Sequence, residues 1–397
     1  MDEIQTCSIV GVGLLAQIRN NGKEFGERMK RKSVLLLTSM LFAALMLGGC
    51  GKKAEEESAS MLDDIKEETV EAQIEEEETK ETEVVEENHD GMYRSELTNE
   101  WIDESLKNQR PIAAMVDNEK TALPHYGLSD ADVVYEIMNS TKNDRITRLM
   151  VLVKDWEKIE QLGSIRSTRP TNILLAAEWN AVLCHDGGPF YIDPYLANDY
   201  AAHFSGGFDR VNNGKAREFT EYICTGNLDQ KFDASKYSKE YNDFYPGAHY
   251  KFAESEVTLA DADGSISATE ISLPFKHNKS TLKYNEDTQT YDYYEYGSAH
   301  VDAGNNNEVL SFKNVLIQNC TFHQYDENGY LIYNCIDTGR DGYYVTNGKA
   351  IPITWAKTGD TEPTRYFDKD GNEIEINTGK TYVTLVPDDG WNSMTIK

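Results

Sequence analysis

Two arginines around a Ser-Thr-Pro segment are the side chains in this sequence best suited to bind a ligand. Arg166 and Arg169 flank Ser167 and Thr168, and Pro170 follows. Pro is favoured in the first turn of a helix, and Ser or Thr can cap that turn, so we predict a helix N-terminus here. Helix N-termini attract anions, and guanidinium groups bind carboxylate or phosphate through paired hydrogen bonds. In so acidic a chain, pairing of these arginines with internal Asp or Glu is the alternative.

The predicted helix ends near Asn180 and leads into a short apolar strand, after which His185, Asp186 and two glycines follow. In α/β sheets, ligands bind beyond the carboxyl ends of the strands. An imidazole at such a place can act as a general base, contact a ligand or hold the loop by hydrogen bonds. All three roles stay open for His185.

Asp117 also follows an apolar strand, so we expect its carboxylate at the same sheet edge as that of Asp186. Arg145 and Arg148 are three residues apart, so on a strand they point to opposite faces and at most one faces this edge. We predict one cleft for an anionic or carboxyl-bearing envelope ligand, lined by Asp117, Glu136, Arg148, Arg166, Arg169, His185 and Asp186.

No sequence motif assigns a reaction, a cofactor or a metal ion. The histidines show no HxH or HExxH spacing, and the GxGxxG, Walker lysine and GxSxG motifs are absent from the sequence. We therefore predict no metal site and no cofactor. A cell-wall hydrolase that uses carboxylates with His185 is the alternative function, since glycosidases need two carboxyl groups about 5–10 Å apart.

The N-terminal segment predicts export and attachment to a membrane through lipid. Residues 1–28 have no signal character, which indicates a mis-called start and translation from Met29. Residues 29–49 combine basic residues with an apolar run that is short for a membrane span, and Leu-Gly-Gly precedes Cys50. This resembles a bacterial lipoprotein signal, cleaved before an acylated Cys50 whose two or three chains anchor firmly. A plain signal peptide or an uncleaved signal anchor is the alternative.

An acidic tether follows the predicted lipid anchor, over 50–91. Residues 55–90 contain 17 Asp or Glu against two Lys. Such a segment has too little apolar surface to fold, and charge repulsion extends it. The whole chain of 397 residues has a net charge of −29, which argues against nucleic acid as a partner.

Cys320 and Cys335 bracket a predicted β-hairpin with its turn at residues 326–329. If the loop holds four residues, the two cysteines face each other across the strands, and a shift of one residue would separate them. A disulfide and a pair of reduced core thiols are both open.

A change of pattern divides the remaining chain into two predicted domains of an α+β protein. Over 92–255, apolar strands mix with short helices, including a polar one within 91–111 and one within 218–232, which predicts a mixed α/β domain. Over 270–397, strand patterns alternate with turn signals, which predicts a mainly antiparallel β domain, either a sandwich or a barrel.

Several segments occur in a characteristic order: RPIAAMVDN, GLSDADVVYE, RITRLMVL, GSIRSTRP and HDGGP, then HVD, NVLIQ, GYYVTNGKAIPITWAK and GKTYVTLVP. Together they resemble the YerB-like family of bacterial lipoproteins, defined by paired N- and C-terminal domains of unknown function, over about 93–395. The resemblance implies two domains and surface attachment but no catalytic mechanism. The family's glycine loop usually ends in a small hydroxyl residue, whereas Pro189 stands here, so no serine nucleophile is implied.

We therefore predict a lipoprotein on the outer face of a Gram-positive cell membrane, held in the bilayer through palmitate-type chains on Cys50. Its expected role is non-enzymatic binding in the cell envelope. Its expected partner is peptidoglycan, an anionic polymer or a membrane-bound assembly partner.

Overall fold

The computed structural model describes residues 88–397. The predictions for 1–28, for the signal over 29–49, for Cys50 and for the acidic tether up to residue 87 lie outside the described residues. Within 88–397, no helix combines the length and the apolar character that a membrane crossing requires.

The first half of the described chain contains ten short strands and three short α-helices. The strands are β1 (Met92–Arg94), β2 (Trp101–Asp103), β3 (Ile112–Asp117), β4 (Val133–Met138), β5 (Thr147–Val153), β6 (Gln161–Gly163), β7 (Val182–His185), β8 (His203–Ser205), β9 (Asp209–Arg210) and β10 (Glu221–Cys224). The helices are α1 (Pro170–Ala177), α2 (Asp193–Leu196) and α3 (Asn227–Asp233). Single 3-10 turns supply the other helical residues.

The second half of the described chain contains sixteen strands and one 3-10 turn, Trp391–Ser393. The strands are β11 (Ile266–Ser267), β12 (Glu270–Ser272), β13 (Thr281–Asn285), β14 (Thr290–Glu295), β15 (Ser298–Ala299), β16 (Val301–Asp302), β17 (Glu308–Val309), β18 (Ser311–Phe312), β19 (Asn314–Cys320), β20 (Phe322–Gln324), β21 (Leu331–Tyr333), β22 (Thr338–Thr346), β23 (Lys349–Ala356), β24 (Arg365–Phe367), β25 (Thr381–Pro387) and β26 (Thr395–Ile396). The described protein is therefore mostly β, with modest helix content in its first half.

An eleven-stranded mixed sheet holds strands from both predicted domains. Its order is β11-β23-β22-β19-β25-β4-β5-β3-β7-β8, with β24 paired to β23. The strands β3, β4, β5 and β7 are buried along their whole length. Burial on both faces explains why these strands are mostly apolar along their length, with Glu136 in β4 and Arg148 in β5 as buried charged exceptions.

The join between the two halves is parallel: β25 pairs with β4 on one side and with β19 on the other. The prediction of a C-terminal sandwich or barrel is therefore wrong, because β19, β22, β23 and β25 extend the N-terminal sheet. A separate six-stranded antiparallel sheet, β15-β14-β13-β12-β26 with β18 on β14, accounts for the antiparallel part of the prediction.

Two predicted helices differ from the structure. Residues 91–111 form the hairpin β1–β2 and a 3-10 turn, Glu104–Leu106, and residues 218–232 divide into strand β10 and helix α3. In the second segment, Gly226 has a left-handed φ of 79° and separates strand from helix, which a continuous helix does not tolerate. Helix α1 begins as predicted at Pro170, but Arg169 rather than Ser167 or Thr168 occupies the N-cap position.

The hairpin of β20 and β21 has the predicted four-residue turn. Tyr325 N donates to Tyr330 O at 2.7 Å, and Asn334 N donates to Thr321 O at 2.9 Å. The same register places Cys320 opposite Cys335. Both cysteines are free and buried in the structure.

We expect the two thiols to form a disulfide during oxidative folding but not afterwards. Burial raises the pKa of Cys335 to about 12 and that of Cys320 well above its usual value, which suppresses the reactive thiolates in the folded protein. Refolding in glutathione buffer should give a species lighter by two hydrogens and more stable by about 3 kcal/mol. Folded, reduced protein in the same buffer should keep both thiols, and rapid oxidation there would contradict the prediction.

Candidate functional site

The predicted basic turn forms a loop between the carboxyl ends of the neighbouring parallel strands β3 and β7. We call residues 164–169 the arginine loop. On one side Arg166 N donates to Met115 O of β3 at 2.9 Å, and on the other Asp186 N, just after β7, donates to Arg166 O at 2.9 Å. Thr168 N donates to Gly187 O at 3.0 Å. Main-chain bonds on both sides thus hold the loop at the sheet edge where the sequence predicted ligand binding.

Three arginines and one aspartate converge at this loop. Asp117 Oδ2 lies 2.6 Å from Arg166 Nε, and the β3–β5 register places Arg148 opposite Asp117. Arg148 Nη1 donates to Ser167 O at 2.6 Å, and Arg169 Nη1 donates to Thr168 O at 2.8 Å. We call Arg148, Arg166 and Arg169 the arginine cluster.

The positive charge of this cluster is only partly neutralised. Arg166 has two carboxylate neighbours, Asp117 and the exposed Glu218 at 3.5 Å. Within residues 88–397, neither Arg148 nor Arg169 has a carboxylate at ion-pair distance, and the Nε atom of each is buried without a hydrogen-bond partner. Both side chains are nevertheless buried, with 8% and 5% exposure.

Burial lowers the pKa of Arg148 to about 9; the Asp117 charge opposes this shift, and the neighbouring Arg169 and Arg166 add to it. Burial likewise lowers the pKa of Arg169 to about 10. Buried charge without a counter-charge is unfavourable, so a bound anion would stabilise the cluster.

His185 and Asp186 lie at the edge of the cluster with partners of their own. His185 Nδ1 is 2.9 Å from Gly187 O, which makes it the protonated nitrogen, and His185 Nε2 is 3.1 Å from His203 Nδ1. Burial lowers the pKa of His185 to about 4, so its ring is neutral at pH 7. Asp186 faces Arg210 at 3.4 Å. In this arrangement His185 holds the glycine loop by hydrogen bonds.

Glu136 does not join the arginine cluster. Its carboxylate is fully buried and accepts hydrogen bonds from Thr147 Oγ1 at 2.6 Å, from Ser280 Oγ at 2.6 Å and from the hydroxyl of Tyr382. Arg145, which lies in the turn before β5, also stays apart and forms a two-pronged ion pair with Asp389 at 2.6 Å. Of the seven predicted residues, the structure brings Asp117 and the three arginines together, with His185 and Asp186 beside them.

The aromatic side chains that lie next to the arginine cluster were not predicted from the sequence. The ring of Tyr330 lies 4.1 Å from the guanidinium of Arg169. Tyr191 donates from its hydroxyl to Asp326 at 2.6 Å, and its ring stacks on that of Tyr325 at 4.4 Å. More than 130 residues separate these partners in sequence, so the one sequence signal for such a surface is the abundance of tyrosine, 23 residues in the chain.

A second group of titratable residues lies in the core, away from the arginine loop. His125, Glu295 and His300 each offer one ligand atom within 4.8 Å of the others, so together they could hold a metal ion. Their side chains also contact one another directly: His300 Nδ1 is 2.8 Å from Glu295 Oε1, and His300 Nε2 is 3.3 Å from His125 Nδ1. Within residues 88–397, His300 is thus paired with both of its neighbours in the group.

Comparison with known proteins agrees with this architecture. Family models described as the N-terminal and C-terminal domains of a protein of unknown function, DUF3048, match residues 97–238 and 271–383. The candidate lipoprotein YerB of Bacillus subtilis (strain 168) is 23% identical over 313 residues, which are 74% of this chain and 86% of YerB. The crystal structure of the YerB protein from Bacillus subtilis, 20% identical, covers 77% of this chain and 99% of its own, with a TM-score of 0.64, which shows a shared fold. The chain therefore belongs to the YerB-like DUF3048 family, with its paired N- and C-terminal domains.

Proposed function

We propose that this protein is a lipoprotein, anchored through Cys50 on the outer face of the cell membrane, that binds an anionic group of a cell-envelope component. The signal-like segment over 29–49, with Cys50 behind it, supports the anchor. The description of the relative YerB as a candidate lipoprotein supports it as well. In this proposal the acidic tether carries the folded part away from the membrane surface.

The observation that carries the binding role is the pair of buried arginines without carboxylate partners. Arg148 and Arg169 donate to main-chain carbonyls and to Ser167, which do not neutralise them. Because these buried guanidinium groups have no counter-charge at ion-pair distance, an anion bound beside them would stabilise the folded protein. Arginine is also the residue that best matches carboxylate and phosphate in shape. Arg166 and Ser167 remain partly exposed, so an anion can reach the cluster from outside.

The geometry supports binding better than hydrolysis. Asp117 is held by Arg166, and Glu136 is closed off inside the core. A glycosidase needs two carboxyl groups that face the same substrate-sized gap. A cell-wall hydrolase is therefore the alternative function, which the experiment with cell-wall sacculi distinguishes from binding.

The double variant R166Q/R169Q tests the proposal. Full-length mature lipoprotein in detergent is incubated with cell-wall sacculi that retain their anionic polymers, and bound protein is measured after sedimentation. We expect the apparent affinity to fall at least tenfold, which corresponds to about 1.4 kcal/mol. Release of soluble sugars or peptides by the wild-type protein would instead favour the hydrolase.

The control variant R94Q/R340Q removes the same charge elsewhere. Arg94 lies over Trp101 in the hairpin β1–β2, and Arg340 bonds to Asn319 in the central sheet. This control should bind sacculi like the wild type. Equal binding by R166Q/R169Q, with an unchanged circular dichroism spectrum, would refute the proposed anion site.

A further inference from the structure

Four aromatic rings on two loops border the arginine cluster. Phe190 and Tyr191 follow the glycine loop after β7, and Tyr325 and Tyr330 flank the turn of the hairpin β20–β21. Phe190 is 80% exposed, the highest value among the large hydrophobic side chains in the described part of the chain. We call these four residues the aromatic platform.

The platform is held in place before any ligand arrives. The rings of Tyr191 and Tyr325 stack within 22° of parallel, and the ring of Phe190 meets that of Tyr191 edge-on at 4.8 Å. Asp326 ties the two loops together, since it accepts from the Tyr191 hydroxyl at 2.6 Å and from Tyr330 N at 3.2 Å. Ordering of the rings is therefore not a cost that a ligand must meet on binding.

The platform and the arginine cluster share one support. Tyr333 N, at the end of β21, donates to Thr171 Oγ1 in the first turn of α1 at 2.9 Å. Arg169 precedes that turn and packs its guanidinium on the ring of Tyr330. A ligand on the rings would thus lie beside the positive charge of the cluster.

The combination of aromatic rings and arginines indicates which class of ligand can bind here. Arginine and aromatic side chains are the groups that dominate binding surfaces, because they supply charge and rigid apolar area together. A pyranose ring has an apolar C–H face that packs on an aromatic ring, and its hydroxyl rim suits tyrosine hydroxyls. A carboxylate or phosphate on the same sugar matches the cluster in charge.

We infer that the aromatic platform binds the sugar rings of an anionic glycan whose acidic groups lie on the arginine cluster. This inference rests on the proposed function and narrows its ligand to pyranose units that carry carboxylate or phosphate. The rings provide the apolar contact, and the arginines provide the charge.

Three polymers of defined chemistry separate the two contributions. Polygalacturonate has rings and carboxylates, polyphosphate has charge without rings, and dextran has rings without charge. Binding of the full-length protein in detergent is measured at fixed salt, because charge-driven affinity falls as salt rises. We expect the order polygalacturonate, then polyphosphate, then dextran.

The double variant F190A/Y325A should weaken polygalacturonate binding at least tenfold and change polyphosphate binding less than twofold. Both side chains are exposed, so their loss should leave the fold intact. The variant F244A is the matched control, since Phe244 is also exposed, at 37%, and belongs to neither loop. It should bind all three polymers like the wild type.

The outcomes distinguish this inference from the proposed function. Unchanged polygalacturonate binding by F190A/Y325A would contradict glycan binding by the aromatic platform. Weaker polyphosphate binding by R166Q/R169Q would in that case still support the anion site. If neither polygalacturonate nor polyphosphate binds, both the glycan inference and the proposed anion site are wrong. Polyglutamate binding as tight as that of polygalacturonate, and equally sensitive to F190A/Y325A, would replace the glycan by an acidic peptide.

Discussion

Replacement of Lys357 by methionine is expected to lower the free energy of unfolding by about 3–5 kcal/mol. The Lys357 ammonium and the Glu178 carboxylate are both fully buried, and Lys357 Nζ lies 3.2 Å from Glu178 Oε2. Methionine fills a similar volume without charge, so it leaves Glu178 as a buried anion beside His249. Burial lowers the pKa of His249, so its ring is neutral at pH 7 and does not replace the lost charge. Urea unfolding at pH 7 measures the loss.

A variant that removes both charges is the control for this prediction. K357M/E178M should recover part of the lost stability, since a buried ion pair can often be replaced by apolar side chains at little cost. Recovery should be incomplete, because Tyr135 and Thr364 lose the acceptor to which they donate at 2.9 and 2.8 Å. A single variant K357M within 1 kcal/mol of wild type would contradict the role of the pair.

The pH dependence gives a second measurement on the same pair. Burial alone would raise the pKa of Glu178, but Lys357, His249 and Thr364 outweigh it and lower the pKa to about 2 from an ordinary value of 4.5. The carboxylate therefore stabilises the fold fully above about pH 4.5, and this contribution is lost as the pH falls toward 2. In K357M the main cause of the low pKa is gone, so acid should stabilise the variant relative to wild type.

The sequence allowed prediction of local features of the site and the fold. Apolar patterns mark β3, β4, β5 and β7 in the sequence. Asn143 and Asp144, which are typical turn residues, lie in the turn between β4 and β5, where both have φ near +50°. The arginine loop and the start of α1 followed from Pro170 and its neighbours. Such features depend on residues within one turn or one strand, where side-chain spacing is informative.

Features that join distant segments could not be predicted. The parallel pairing of β25 with β4 links residues about 248 positions apart, and a strand pattern does not name its partner. Glu136 was predicted to line the same cleft as Asp117, yet its partners Ser280 and Tyr382 come from the second half and close it inside the core. The platform stayed hidden for the same reason, since Tyr325 and Tyr330 are more than 130 residues from Tyr191.

Glu136 provides the other large expected effect: Glu136→Ala should lower the free energy of unfolding by about 4 kcal/mol. Three buried hydroxyl groups, on Thr147, Ser280 and Tyr382, donate to its carboxylate. Each buried hydroxyl left without a partner costs about 1–3 kcal/mol, and the shorter side chain also leaves a cavity. Urea unfolding at pH 7 measures the change.

Glu136→Gln separates the hydrogen bonds from the charge. Glutamine keeps the volume and an acceptor oxygen, so E136Q should lose much less stability than E136A and should bind sacculi like the wild type.

Burial raises the pKa of Glu136, and the three hydroxyls only partly offset this. The wild-type group therefore favours the fold most below about pH 4.5, its ordinary value, and less as the pH rises through the raised pKa. The glutamine at this position does not titrate, so the stability of E136Q relative to wild type should improve as the pH rises above 4.5. If the difference in the free energy of unfolding between E136Q and wild type does not change with pH, burial of the Glu136 charge does not destabilise the fold. If E136Q loses sacculus binding, Glu136 belongs to the ligand site.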